Sequence, residues 1–321
     1  MADDAFVERV VKATDYLSKE EIQQFTSRSD LMGWWQVTSN WLLIIAVFAL
    51  VIAWTNPLSI VLAILFLGGR QLGLAVLMHE AGHKTLFRTE RLNETVGQWL
   101  CAYPVLGDVK AYGASHRIHH RYAGTEEDPD LPNYRAYPVT RDSFMRKIKR
   151  DLTGQTGLSL LRMLFGGEGR NLMLREGEKT HSERRGLLVN GILLLLMLAG
   201  GVGVYYLLWV VAYLTTYPMI ARIRQVAEHG NVPDLYDPDP RKNTRTTYAN
   251  PLERLLFCPN SVNYHLEHHL LASVPAHKLP ALHELLLKRG FYTGHEDALA
   301  SSYVDVIRRA VPEFSRPQPA G

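Results

Sequence analysis

Two long stretches of the chain carry no charged residue, one from Leu31 to Gly69 and one from Gly186 to Ala221, 39 and 36 residues long. One bilayer crossing needs about 20 apolar residues, so each stretch is long enough for two. Turn formers interrupt both: Thr55-Asn56-Pro57 in the first, Gly200-Gly201-Val202-Gly203 in the second. The pattern predicts two transmembrane hairpins, one pairing about 33–54 with 57–78, the other about 187–200 with 204–221. The segment 187–200 is short for a full crossing. Trp34, Trp35 and Trp41 stand where an interfacial aromatic belt would. Neither turn carries Lys or Arg, whereas the flanks hold Arg28, Lys84, Arg184, Arg185, Arg222 and Arg224. The positive-inside rule then puts the flanks and both termini in the cytoplasm. The fold class expected is an all-α membrane protein: four transmembrane helices in two hairpins, with a cytoplasmic helical cap holding a histidine-rich site. Along the chain this divides into an N-terminal cytoplasmic helical segment (1–32), a main domain (33–290) and a C-terminal cytoplasmic tail (291–321).

Between these landmarks the polar pattern is more local. Ser18 followed by Glu21 predicts a capped surface helix. Arg70 interrupts the second apolar half; it either snorkels to the interface or faces a polar group inside the protein. Leu92 to Val109 is apolar but broken by Pro104, which predicts an interfacial or re-entrant segment. Leu158–Leu174 and Pro275–Phe291 read as amphipathic helices, and the chain after about Ala310 reads as weakly ordered.

Composition changes this picture little. The net charge is +3, and its basic patches, such as RDSFMRKIKR at 141–150, fit an anionic membrane surface. No nucleic-acid-binding motif accompanies them, so no nucleic-acid partner is expected. The two cysteines, Cys101 and Cys258, suggest neither a disulfide framework nor a cysteine-rich metal site. The start, MADDAF, lacks the apolar core of a cleavable signal.

The histidines carry the chemistry. Eight of the thirteen fall in three short windows: His79 and His83 in HEAGH, His116, His119 and His120 in HRIHH, and His265, His268 and His269 in HLEHH. On a helix, residues at i, i+3 and i+4 share one face. A lone buried histidine is ordinarily structural, but two HxxHH triplets beside membrane segments present imidazoles as ligands would. Eight imidazoles exceed what one ion uses, so two metals are implied. His229, alone after the last apolar stretch, is a ninth candidate that spacing leaves open. Glu80, Gln225, Asn263, Glu267, Asp128, Asp130 and Glu228 are candidates to orient ligands or a bound water, since metal-bound imidazoles donate their other N–H. HEAGH also matches the HExxH pattern of zinc proteases, but that chemistry leaves both triplets without a role.

The set HEAGH, HRIHH and HLEHH, in this order around two apolar hairpins, resembles the integral-membrane fatty acid desaturase and hydroxylase superfamily over about residues 33–290. The resemblance implies two iron ions at the cytoplasmic face, O2 as co-substrate, and His229 as a further ligand beside His79, His83, His116, His119, His120, His265, His268 and His269. It implies a lipid or acyl substrate in the membrane. No HPGG haem motif or iron–sulfur cysteine set is present, so electrons would come from a separate ferredoxin, rubredoxin or cytochrome b5. The expected function is O2-dependent fatty acyl desaturation. A hydroxylase or ketolase of a lipid or carotenoid is the alternative. A membrane zinc protease and a non-enzymatic metal-binding protein are remote ones.

Overall fold

The computed structural model describes residues 10–166 and 182–315, and it is helical almost throughout. Ser18 caps helix α1 (Lys19–Thr26) by the expected reciprocal pair: the Glu21 N–H donates to Ser18 Oγ at 3.2 Å and the Ser18 N–H to Glu21 Oε2 at 2.8 Å. Helix α2 (Asp30–Ala53) and helix α3 (Pro57–Gly82) form the first hairpin. Asn56 caps α3 and Pro57 occupies its first position, where a missing N–H costs nothing. α3 is the central helix: from Leu67 to Ala81 every residue but Ala75 is buried. It runs on through the HEAGH window, so these histidines ride on a rigid membrane helix, not on a loop beyond it.

Among the described residues three helical stretches are long and apolar enough to cross a membrane: Asp30–Ala53, Pro57–Gly82 and Gly203–His229. The fourth expected span is helical but does not join them. Helix α9 (Ser182–Ala199) opens with Glu183, Arg184 and Arg185, and the turn at Gly200-Gly201 follows its end. Its uncharged part spans only about 21 Å at 1.5 Å per residue, short of a hydrocarbon core of about 30 Å. The last stretch comprises α10 (Tyr206–Leu214) and α11 (Thr216–His229), which meet at a kink at Thr215. Pro218 lacks the N–H that would continue the ladder there. The exposed sides of α2 and α9 present Leu42, Ile45, Leu50, Leu188, Leu195 and Leu196, an apolar wall fit for lipid.

Arg70 does not snorkel. It is buried on α3, donates to Asn40 Oδ1 on α2 at 3.1 Å and to the Leu255 carbonyl, and so ties the hairpin to the polar part of the molecule. The 92–109 segment lies against the protein, as its composition predicts. Helix α4 (Glu90–Val96) leads into a wide turn at Gly97–Ala102, and Trp41 Nε1 donates to the Leu100 carbonyl at 3.0 Å.

The polar region is built from α5 (Val109–Tyr122), α6 (Leu131–Tyr134), α7 (Arg141–Leu152) and α8 (Gln155–Gly166) on one side of α9 in the chain. After α11 come α12 (Pro240–Asn243), α13 (Pro251–Leu256), α14 (His265–Leu270), α15 (Leu279–Lys288) and α16 (Tyr303–Ala310). Of the amphipathic stretch expected at 158–174, the part beyond 166 lies outside the described residues. The segment expected as a tail is packed structure up to Ser315. Leu299–Ala300 pairs in parallel with Thr246–Thr247, and Phe291, Tyr303, Val306 and Val311 are buried. Their burial follows from spacing: Tyr303, Val306 and Ala310 share the inner face of α16. The N-terminal segment joins the same body through Leu17, buried against Leu266 and Leu286, and through the Arg289–Glu21 ion pair at 2.5 Å.

Candidate metal centre

Four helix ends converge. His79 lies in the last turn of α3 and His83 is its C-cap; His116, His119 and His120 lie on α5; His229 is the last residue of α11; His265, His268 and His269 lie on α14. Asp108 starts α5 by accepting the Ala111 N–H at 2.8 Å. α5 approaches α3 backbone to backbone. A Cβ added at Gly113 would lie 3.1 Å from both Cα and O of Gly82, and one at Gly82 would lie 3.2 Å from Gly113 Cα. A side chain at either position would be tighter than most Cβ contacts, and the facing backbone would have to give by a few tenths of an ångström. Gly113→Val is therefore expected to push the two helices apart and cost at least about tenfold in metal affinity, a small shift at ligands having such effects. Metal titration against the wild type checks this; unchanged affinity would show that the close approach is dispensable.

The nine histidines form two groups whose donor atoms lie within 4.8 Å of one another: His79, His83, His116, His120 and His268 in one, His119, His229, His265 and His269 in the other. The two HxxHH triplets divide alike. The i, i+4 pair His116/His120 enters the first group and the i+3 residue His119 the second. In the other triplet His265/His269 enters the second group and His268 the first. On a helix, i and i+4 differ by only about 40°, whereas i+3 and i+4 differ by 100°. The groups touch, with the His120 and His269 ring centroids 4.4 Å apart.

Hydrogen bonds set the tautomers. His79 Nδ1 lies 3.2 Å from a Glu80 carboxylate oxygen, His119 Nδ1 2.8 Å from Asp128 Oδ1, and His229 Nδ1 3.0 Å from the Asn243 carbonyl. These oxygens only accept, so each Nδ1 carries the proton and each Nε2 keeps a lone pair. Those Nε2 atoms point at other Nε2 atoms: His79 to His116 at 2.8 Å, His119 to His269 at 3.3 Å, His229 to His265 at 2.9 Å. His116 to His120, His120 to His268 and His265 to His269 continue the series at 3.1, 3.0 and 3.1 Å. The buried Nε2 of His83 has no hydrogen-bond partner among the described residues. One N–H cannot serve two such neighbours, whereas a shared cation satisfies several lone pairs at once. Two nitrogens each about 2.1 Å from one ion lie roughly 3.0–3.4 Å apart, close to the 2.8–3.3 Å of these contacts. The donor set fits two metal ions.

The supporting groups follow the sequence only in part. Glu80 uses both oxygens: besides His79 it accepts from Thr85 Oγ1 and from the Ala276 N–H, each at 2.9 Å. A carboxylate so held is poorly placed as the general base of a zinc protease. Asp128 bonds His119 and accepts from the Tyr134 hydroxyl and the Asp130 N–H. Burial raises the Asp128 carboxyl, but the His119, Tyr134 and Asp130 hydrogen bonds outweigh it and hold the group below the usual carboxylate range. Asp130 Oδ2 stands 3.9 Å from His119 Nδ1. Glu228 Oε1 lies 3.5 Å from His265 Nδ1 while accepting from Arg224 at 2.6 Å. Asp128→Asn keeps the shape but loses the charge that fixes the His119 tautomer. It is expected to weaken metal binding about 10–100-fold, again read by titration.

Three candidates stand elsewhere. Glu267 sits inside HLEHH, yet it bonds Thr246, His283 and Tyr292, on the side of α14 away from the imidazoles. Asn263 pins Thr247, accepting its N–H at 3.0 Å and donating to its carbonyl at 2.9 Å. Gln225 is half-buried on α11 with no hydrogen bond to a clustered imidazole among the described residues. The sequence reading missed the Asn243 carbonyl, which any residue type could have supplied, and Tyr134, whose ring stacks on His229 at 4.7 Å.

Residues 55–296 match the profile of the fatty acid desaturase family. The chain is 31% identical over 242 residues to a dihydrorhizobitoxine desaturase of Bradyrhizobium elkanii, a match covering 69% of this chain and 65% of that protein. It is 28% identical over 237 residues to a beta-carotene ketolase of Paracoccus sp. (strain PC1), covering 70% and 79%. The chain thus spans just under two thirds of the first relative's length. With three-quarters of its residues inside the family profile and its histidines gathered into two cages, the chain belongs to the fatty acid desaturase family.

Proposed function

We propose that this protein is a membrane oxidoreductase that desaturates the acyl chain of a lipid, using two iron ions held by His79, His83, His116, His120 and His268 and by His119, His229, His265 and His269. The observation that carries the reading is the inward set of Nε2 lone pairs in two touching cages. Iron bound there would supply the O2-dependent removal of hydrogen from an unactivated C–H bond. The overall balance uses one O2, two hydrogens from the acyl chain, and two electrons and two protons from outside, giving one double bond and two waters. The electrons would come from a separate one-electron carrier: a ferredoxin, rubredoxin or cytochrome b5. The chain's own part is to orient the ligands: Glu80, Asp128 and the Asn243 carbonyl hold the proton on Nδ1 of His79, His119 and His229.

In this reading 33–290 is the desaturase domain and the described residues 291–315 belong to its cap. α9 completes the second hairpin as a short fourth membrane helix, and the basic flanks put the metal centre and both termini in the cytoplasm. Two small apolar cavities, of about 200 and 150 Å³, flank Tyr206 and Trp209. Neither is lined by a clustered histidine, so they suit lipid tails along the wall and not the reacting carbon.

The second reading, oxygen insertion, is favoured by the match to a carotene ketolase. Mass spectrometry of total lipids, from a host making the wild type with a suitable electron donor and from one making His268→Ala, decides between them. A new species two hydrogens lighter, absent with the variant, supports desaturation. A species one oxygen heavier, or an altered carotenoid, supports the hydroxylase or ketolase. No change in either class overturns both.

A further inference from the structure

Helix α5 has two chemically opposed faces. Its imidazoles face the cages. Lys110, Arg117 and Arg121, spaced i, i+7 and i+11, fall within about 20° of one line on the other side. All three are exposed, no carboxylate pairs with any of them among the described residues, and α5 contains no acidic residue. Ile118 and Tyr122 beside them are 46% and 37% exposed. The result is a small apolar centre with a basic edge, the composition of a transient protein-docking patch. Glu126 and Glu127 are exposed on the loop beyond the helix, and Glu94 and Asp108 line one surface depression with Lys110, so the basic edge rests chiefly on Arg117 and Arg121. Three of the five patch residues are chain neighbours of a cage histidine: Arg117 of His116, Ile118 of His119 and Arg121 of His120.

We propose that the outer face of α5 docks a small acidic one-electron carrier protein and is the electron entry point. This rests on the reading of the cages as a redox metal pair. Each docking delivers one electron to the metal pair and leaves the carrier oxidised by one electron, so two dockings complete one turnover. The other basic helix, α7, is a poorer entry point. It carries no cage histidine, and its exposed Met145 and Leu152 among Arg146, Lys149 and Arg150 suit an anionic lipid surface instead.

The test uses the full chain in lipid nanodiscs, an acidic [2Fe–2S] ferredoxin and, in parallel, an acidic cytochrome b5. Wild type is compared with the triple reversal Lys110→Glu, Arg117→Glu, Arg121→Glu and with the α7 reversal Arg146→Glu, Lys149→Glu, Arg150→Glu. The α5 reversal is expected to raise carrier Kd and KM about tenfold or more and to remove their salt dependence. Turnover driven by dithionite and metal content should stay at the wild-type level, and the α7 reversal should stay within about twofold in Kd. Carrier Kd unchanged by the α5 reversal, a loss confined to the α7 reversal, or no binding of either carrier to the wild type overturns the proposal. If the triple reversal lowers metal content, the milder pair Arg117→Gln and Arg121→Gln decides: about threefold weaker binding supports the site, and no change overturns it. Failure of dithionite-driven turnover in the wild type counts against the oxygen-dependent reading, while the binding comparison still decides the docking surface.

Discussion

Alanine at His268 is expected to reduce product formation by more than about 1,000-fold, over about 4 kcal/mol in the activation barrier. The same variant leaves its cage with His79, His83, His116 and His120, so the ion there should be held more weakly and the metal content fall below two equivalents per chain. The other cage keeps its four imidazoles. Removing the His268 ring leaves His120 Nε2 without its 3.0 Å neighbour and opens a hole beside His79, whose ring centroid lies 4.7 Å away. Elemental analysis of purified protein measures the metal, and lipid mass spectrometry measures the product. His295→Ala, a histidine outside both cages, serves as the control and should lose neither. Two metals retained in His268→Ala with activity intact would mean that the clustered imidazoles do not bind metal as proposed.

Acid should have the second large effect. Burial pushes the imidazoles of His116, His120, His265, His268 and His269 well below their ordinary range, and neighbouring histidines push them further in the same direction. His83 is brought down to about 3 by burial first and by His79 next. In the unfolded chain these rings take up protons below about pH 6.5, whereas in the fold they stay neutral. The unfolded state then binds more protons, so stability falls as pH falls below about 6.5. Each such ring costs on the order of 1 kcal/mol between pH 7.5 and 5.5, so together they remove roughly several kcal/mol. That is comparable to the whole stability of an ordinary domain. Bound metal also requires neutral imidazoles and stabilises only the folded state, so it moves the loss to lower pH. Thermal unfolding of chelator-treated and metal-loaded protein from pH 7.5 to 5 tests both parts. A flat apo profile down to pH 5.5 would falsify the account.

Much of the site could be read from spacing because its ligands are local patterns. HRIHH and HLEHH are helical in the structure, and all nine candidate histidines come together. Nearness in sequence is a weaker guide. Glu267 lies between two cage histidines, but a residue one or two positions from a ligand points to another side of the helix. It therefore meets His283, which sequence alone reads as unremarkable. Asp128, nine residues from His119, reaches it because the chain turns back after α5. The short α9 and the packed segment after Phe291 had similar causes. A run without charges says nothing about where the helix will start. A polar, broken segment hides buried residues such as Tyr303 and Val306, which meet their partners only across the fold.

The sequence by itself determined the uncharged runs, the helical period of the histidines and the i, i+3, i+4 spacing that puts three imidazoles on one side of α5. These depend only on backbone geometry and side-chain polarity within a few residues. Tertiary structure decided which imidazoles share a cage. His119 leaves its neighbours His116 and His120 to join His229, His265 and His269, and His268 makes the opposite exchange. That choice follows from the 100° between adjacent helical positions and from how closely α3, α5, α11 and α14 approach, as at Gly82 and Gly113. No local pattern encodes it, because each cage is completed by residues far apart in the chain whose meeting depends on the packing of whole helices.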